Sequence, residues 1–110
     1  MSLPDSAMIA RLLRPQSIAV VGASDKPGAL GASLMSNLDR SGFSGAIYPT
    51  NPNREMIGAR PCLPAVESLP EGVDVAVLAI PRAGVLDALR ALAERKAGSA
   101  IVFAAGFAEG

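Results

Sequence analysis

Three glycines, at positions 22, 28 and 31, punctuate the stretch GASDKPGALG, which follows directly on the apolar run IAVV. Glycine at such a junction lets backbone come close to a ligand. At the mouth of a following helix it leaves unpaired amides and the positive end of the helix dipole facing outward. That arrangement can hold a phosphate without any basic side chain. Gly22, Gly28 and Gly31 form a lengthened relative of the fingerprint GxGxxG, with Ser24 standing where its second glycine would be and Asp25, Lys26 and Pro27 filling the loop. The alternative reading is a glycine-rich connector that serves only tight packing.

Which phosphorylated ligand fits turns on the next strand. NAD sites carry an acidic residue about 20 residues past the fingerprint, where it grips the ribose hydroxyls. Here that region reads Tyr48, Pro49, Thr50, Asn51 and holds no carboxylate, which disfavours NAD. Arg54 could face a ribose phosphate, so NADP and any adenosine bearing a 3'-phosphate stay open. Covalent chemistry finds less support, because histidine, the commonest general base near neutral pH, is absent. Cys62 sits in a proline-rich connector with no base to activate it and reads as a small, half-buried structural side chain. The carboxylates are scattered as on a solvated surface, and no metal site is expected. Met8 and Met35 read as core.

The elements that must position these residues follow from periodicity. Residues 4–14 place Met8, Ile9, Leu12 and Leu13 at helical spacing before Pro15. Residues 17–21 are a short continuous apolar run, as a strand covered on both faces would be. Leu34, Met35 and Leu38 predict a helix over 31–41 with Gly42 at its left-handed cap, and a second strand is expected at 46–49. Pro61, Pro64 and Pro70 leave room for one helical turn near 65–68. A third strand is expected at 74–80, stopped by Pro81. Val85, Leu86, Leu89, Leu92 and Ala93 then predict a helix with Lys96 in its last turn and Gly98 just beyond, before a fourth strand at 99–105. Strands alternating with helices argue for an α/β fold, a Rossmann-like doubly wound parallel sheet, with ligands outside the carboxyl ends of the strands.

At 110 residues the chain is a single domain. Ten acidic and ten basic residues cancel, which removes the electrostatic argument for a nucleic-acid or membrane-surface partner. One cysteine cannot form an internal disulfide, and no early apolar run has the length of a signal peptide or membrane span, so the chain reads as cytoplasmic. Residues 1–3 and 109–110 look like vector-derived additions, and the chain is expected to be the excised N-terminal part of a longer protein, truncated at its C-terminus before a last helix and strand.

The succession LLRPQSIAVVGAS, KPGALG, IYPTNPN, DVAVLAIPRAGV and AIVFAAGF resembles the CoA-binding domain of ADP-forming acyl-CoA synthetases, which is related to the succinyl-CoA synthetase alpha chain. The resemblance implies that residues 1–110 bind CoA or acyl-CoA. Gly22, Ser24, Asp25, Lys26, Pro27, Gly28 and Gly31 would cradle its phosphates, Asn51, Pro52 and Asn53 would lie by the adenosine, and Ile80, Pro81, Ala105 and Gly106 would border the pantetheine arm. Many relatives have a basic residue directly after the NP pair, whereas this chain has Asn53 with Arg54 next to it, and Lys26 could compensate.

No residue here is expected to be catalytic, since the phosphohistidine expected of that family has no counterpart in the chain. The parent would be an acid–thiol ligase, with ATP, ADP and Mg confined to its other domains or subunits. Within the family a protein acetyltransferase or a stand-alone CoA-binding regulator is the alternative. From another class come an NAD(P)-binding redox or sensor domain, and a docking surface without ligand.

Overall fold

The computed structural model describes residues 11–103. Most of the predicted leading helix, the last residues of the predicted fourth strand, both chain ends, and the site candidates Ala105 and Gly106 lie outside the described residues. Residues 11–13 are helical, as the leading-helix pattern requires.

Four parallel strands form the sheet: β1 (Ser17–Val21), β2 (Ala46–Thr50), and, beyond a two-stranded hairpin, β5 (Val75–Leu78) and β6 (Ser99–Val102). Their order is β2-β1-β5-β6. The chain therefore steps outward from β1 to β2, then back across β1 to β5, and the order reverses between β1 and β5.

Helix α1 (Leu30–Arg40) makes the first crossover and α2 (Val85–Glu94) the last. Alternate residues of β1 explain the two layers. Ile18 and Val20 pack with Met35 and Leu38 on the α1 side, while Ala19 and Val21 pack with Ala88, Ala91 and Leu92 on the α2 side. Val20, Leu69 and Leu78 are wholly buried, each contributing roughly 1.5–3 kcal/mol of hydrophobic stabilisation. The α/β doubly wound class read from the sequence is the observed one.

Two local expectations need correction. The third strand stops at Leu78; the Ala79 amide still donates to the Val21 carbonyl at 2.8 Å, and Ala79 and Ile80 then form a wall of the crevice beside it. Helix α2 ends at Glu94, and the left-handed residue beyond it is Lys96 (φ 60°), not a glycine. Gly98 instead gives room, since a Cβ there would stand 2.6 Å from the Asp74 carbonyl oxygen. Beyond the loop that follows β2 lies a tight hairpin of β3 (Met56–Ile57) and β4 (Arg60–Pro61), which was not anticipated. The predicted turn near 65–68 is a short 3-10 helix, Val66–Ser68.

Candidate functional site

At the point where strand order reverses, a cleft of about 460 Å³ opens over the carboxyl ends of the strands. Gly22 lines it from the end of β1, Asn51, Pro52 and Asn53 from the loop after β2, and Ile80 and Pro81 from the end of β5. Three widely separated segments singled out from the sequence thus meet around one space. Its volume falls in the range of ligand pockets and is large enough for part of a ligand the size of CoA. Thr50 also lines the cleft, as do Pro64, Ala65, Val66 and Ala79, which were not anticipated. Residues 64–66 carry no chemical group that would mark them in a sequence; the hairpin swings them into place.

Gly22 is shaped by the neighbouring strand rather than by a ligand. Its φ is +89°, and a Cβ would stand 2.3 Å from the Ala79 carbonyl oxygen. Its amide and that of Ala23 donate to the Thr50 carbonyl at 3.0 and 3.1 Å, so these two donors are spent inside the protein. Gly31 is buried within the first turn of α1, where a Cβ would lie 2.0 Å from the Gly22 carbonyl oxygen. Its smallness lets α1 rest on the β1 turn.

Gly28 differs from both. It is exposed, has φ +87°, and a Cβ built on it meets nothing within 4 Å. Among the described residues, no partner takes the amides of Ser24, Asp25, Gly28, Leu30 or Gly31. The Lys26 amide donates to the Ser24 hydroxyl at 2.9 Å, which bends the loop. Ala29 occupies the N-cap of α1 with no side-chain hydrogen bond, and the first turn holds no acidic residue. A helix start without its own anion retains free donors and positive dipole for an external one.

Asn51 holds the loops together. Its side-chain amide donates to the Ala23 carbonyl at 2.8 Å, and its side-chain oxygen accepts from the Asn53 amide at 2.8 Å. Arg54 continues the same loop and places Nε 3.1 Å from Asp25 Oδ1. No local spacing marks this pairing, because the partners are 29 residues apart and belong to different loops. Lys26 is exposed at the rim.

Cys62 is buried, and its thiol contacts the Asn51 and Leu63 carbonyls at 3.8 and 3.7 Å. Burial pushes its pKa up, against the lowering influence of the Asn51 carbonyl contact and of Arg54, so the unreactive thiol is favoured. Among the described residues no three metal-ligating side chains cluster.

A parallel sheet reversing its order beside a glycine loop and an uncapped helix start defines a Rossmann-like nucleotide-binding domain. A family described as the CoA binding domain matches residues 16–109. The chain belongs to that family.

A trans-feruloyl-CoA synthase, FCS1, from an unknown prokaryotic organism is 54% identical over 101 residues, which are 92% of this chain and 14% of the synthase. The acetate–CoA ligase (ADP-forming) II of Archaeoglobus fulgidus is 37% identical over 89% of this chain and 15% of its own. Among solved structures, an acetyl-coenzyme A synthetase 1 of Ca. Korarchaeum cryptofilum in complex with phosphate and ADP superposes with a TM-score of 0.84 at 38% identity, over 92% of this chain and 22% of that one. The chain spans about one seventh of the length of these curated relatives. It is a CoA-binding domain homologous to those of ADP-forming acetyl-CoA synthetases, and CoA is the cofactor that follows.

Proposed function

We propose that the cleft between β1 and β5 holds the nucleotide end of CoA, with the diphosphate on the loop of residues 24–28 and the start of α1, the adenosine beside Asn51, Pro52 and Asn53, and the pantetheine arm leaving past Ile80 and Pro81. The observation that carries this reading is the open space in front of Gly28 next to an uncapped helix start. Gly22 and Gly31 shape the cradle, while the amides of Ser24, Asp25 and Gly28 supply donors. Pro27, which has no amide hydrogen, sets the loop's turn.

The longer protein to which such a domain would belong is proposed to be an acid–thiol ligase. It would interconvert acyl-CoA, ADP and phosphate with a free acid, CoA and ATP, and the phosphoryl chemistry would fall to other domains or subunits. This domain would retain the nucleotide handle while the thiol reaches that chemistry. No described helix is long and apolar enough to cross a membrane, and we place the domain in the cytoplasm on the ground that its ligand is a cytoplasmic cofactor.

Calorimetric titration of the domain with CoA, NADH and NADPH tests the assignment. CoA is expected to bind and the two nicotinamide nucleotides to give no saturable heat. Binding of either nicotinamide nucleotide without CoA would overturn it.

A further inference from the structure

Resting on the CoA reading above, we propose that Asp25 is a specificity-setting residue: it occupies Arg54 in the free domain and must release it to the adenosine 3'-phosphate. Arg54 directly follows Asn53, which lines the cleft, and Asp25 sits in the loop that would carry the diphosphate. The pair therefore bridges the two loops on either side of the nucleotide's path. Its side chains are 38% and 55% exposed, so an incoming ligand can reach them.

Exposed pairs of this kind hold together weakly. Among the described residues the charged groups meet through a single contact, from Nε at 3.1 Å, and a second guanidinium nitrogen reaches the Asn53 carbonyl, at 3.4 Å. A phosphate monoester offers three oxygens and nearly two negative charges, and it can take two guanidinium donors side by side. It outcompetes one carboxylate oxygen. The displaced Asp25 then lies close to a phosphate, which costs part of the gain.

Asp25 thereby acts as an internal competitor that lowers affinity only for ligands carrying the 3'-phosphate. A nucleotide without that group leaves the pair intact. The ratio of CoA to dephospho-CoA affinity is then governed by Asp25 through Arg54.

The test is calorimetric titration of CoA and dephospho-CoA into wild type, Asp25→Asn, Arg54→Gln and the double variant at one fixed salt concentration, with thermal melts of each. Asp25→Asn is expected to raise the CoA/dephospho-CoA affinity ratio about two- to fivefold, the range of an exposed pair. Arg54→Gln should lower that ratio about tenfold, and Asp25→Asn should add nothing in the Arg54→Gln background. An equal gain for both ligands in Asp25→Asn would mean simple repulsion of the diphosphate and overturn the proposal. So would CoA binding indifferent to all three variants, which leaves the CoA reading standing. A wild type that binds neither ligand would instead remove that reading, and this proposal with it.

Discussion

At the carboxyl edge of the sheet the chain turns over bare backbone, with the Thr50 carbonyl taking the amides of Gly22 and Ala23, whereas at the amino edge one carboxylate, Asp74, gathers its neighbours. Asp74 Oδ1 accepts from Arg11 Nε at 2.6 Å and Oδ2 from the Gln16 amide at 2.8 Å. Its own amide donates to the Ser17 hydroxyl at 3.0 Å. Arg11 also donates to the Gly72 carbonyl at 3.0 Å.

The amino edge is closed by side chains that satisfy one another. On the carboxyl edge, donors in the loop after β1 find no partner among the described residues, and its side-chain ion pair is an exposed one. Stability is concentrated at one end of the strands and ligand capacity is left at the other.

Substitution at Gly31 is the strongest way to break that division, because its Cβ would collide with backbone that cannot swing aside. Gly31→Val is expected to cost about 3 kcal/mol or more, read from the urea midpoint, and to lose CoA binding through loss of the fold.

Gly28→Val should separate binding from folding. A Cβ there meets nothing within 4 Å, so the stability cost is chiefly that of the left-handed backbone, about 1–2 kcal/mol. CoA affinity should nevertheless drop about ten- to hundredfold as the branched side chain fills the phosphate's place. If the two glycine variants exchanged behaviours, the assignment of shaping to Gly31 and contact to Gly28 would be wrong.

Asp74→Asn gives the smallest effect and sharpens the contrast from the other end. Asparagine turns an amide towards one of the two donors that Asp74 now accepts, costing about 1 kcal/mol at a site where Arg11 is partly solvated, while CoA affinity stays unchanged. The hydrogen bond from Arg11, followed by that from the Gln16 amide, holds the Asp74 carboxyl below its ordinary value of 3.8. A depressed folded value makes the stabilisation complete above the unfolded carboxyl's value and lost as pH falls through the folded one. Urea midpoints of wild type and variant should therefore differ at about pH 7 and converge as the solution is acidified through the depressed folded value. A difference that persists in acid would show that the carboxylate charge is not what closes this edge.

Much of this organisation was legible in the residues. β1 is an unbroken apolar run and α1 and α2 have plain helical spacing, so their class and most of their bounds could be read directly. The glycine loop announced a cleft because it stood between a strand and a helix. Other features were hidden for definite reasons. Ala79 and Ile80 look like strand because apolar residues serve a crevice wall as well as a ladder. The hairpin of β3 and β4 has two residues per strand, too few for alternation to register. Gly98 stands where a helix cap would be expected, but only the packed structure shows that it makes room for the Asp74 carbonyl and Arg11. The roles of Gly22 and Gly31 look alike in sequence to that of Gly28, and only the position of neighbouring backbone tells shaping from contact. The Asp25–Arg54 pairing depends on how two loops lie in space, which no local spacing encodes.

The hairpin also has an effect on the margin of the sheet. Leu63 donates to the Pro49 carbonyl and accepts from the Asn51 amide, so the outer flank of β2 is already stitched to its own chain, and Pro49 has no hydrogen to offer. With the Pro49 carbonyl and the Asn51 amide taken and no hydrogen on the Pro49 nitrogen, a stray polypeptide strand finds fewer groups to zip onto beside the very loop that carries Asn51 and Arg54.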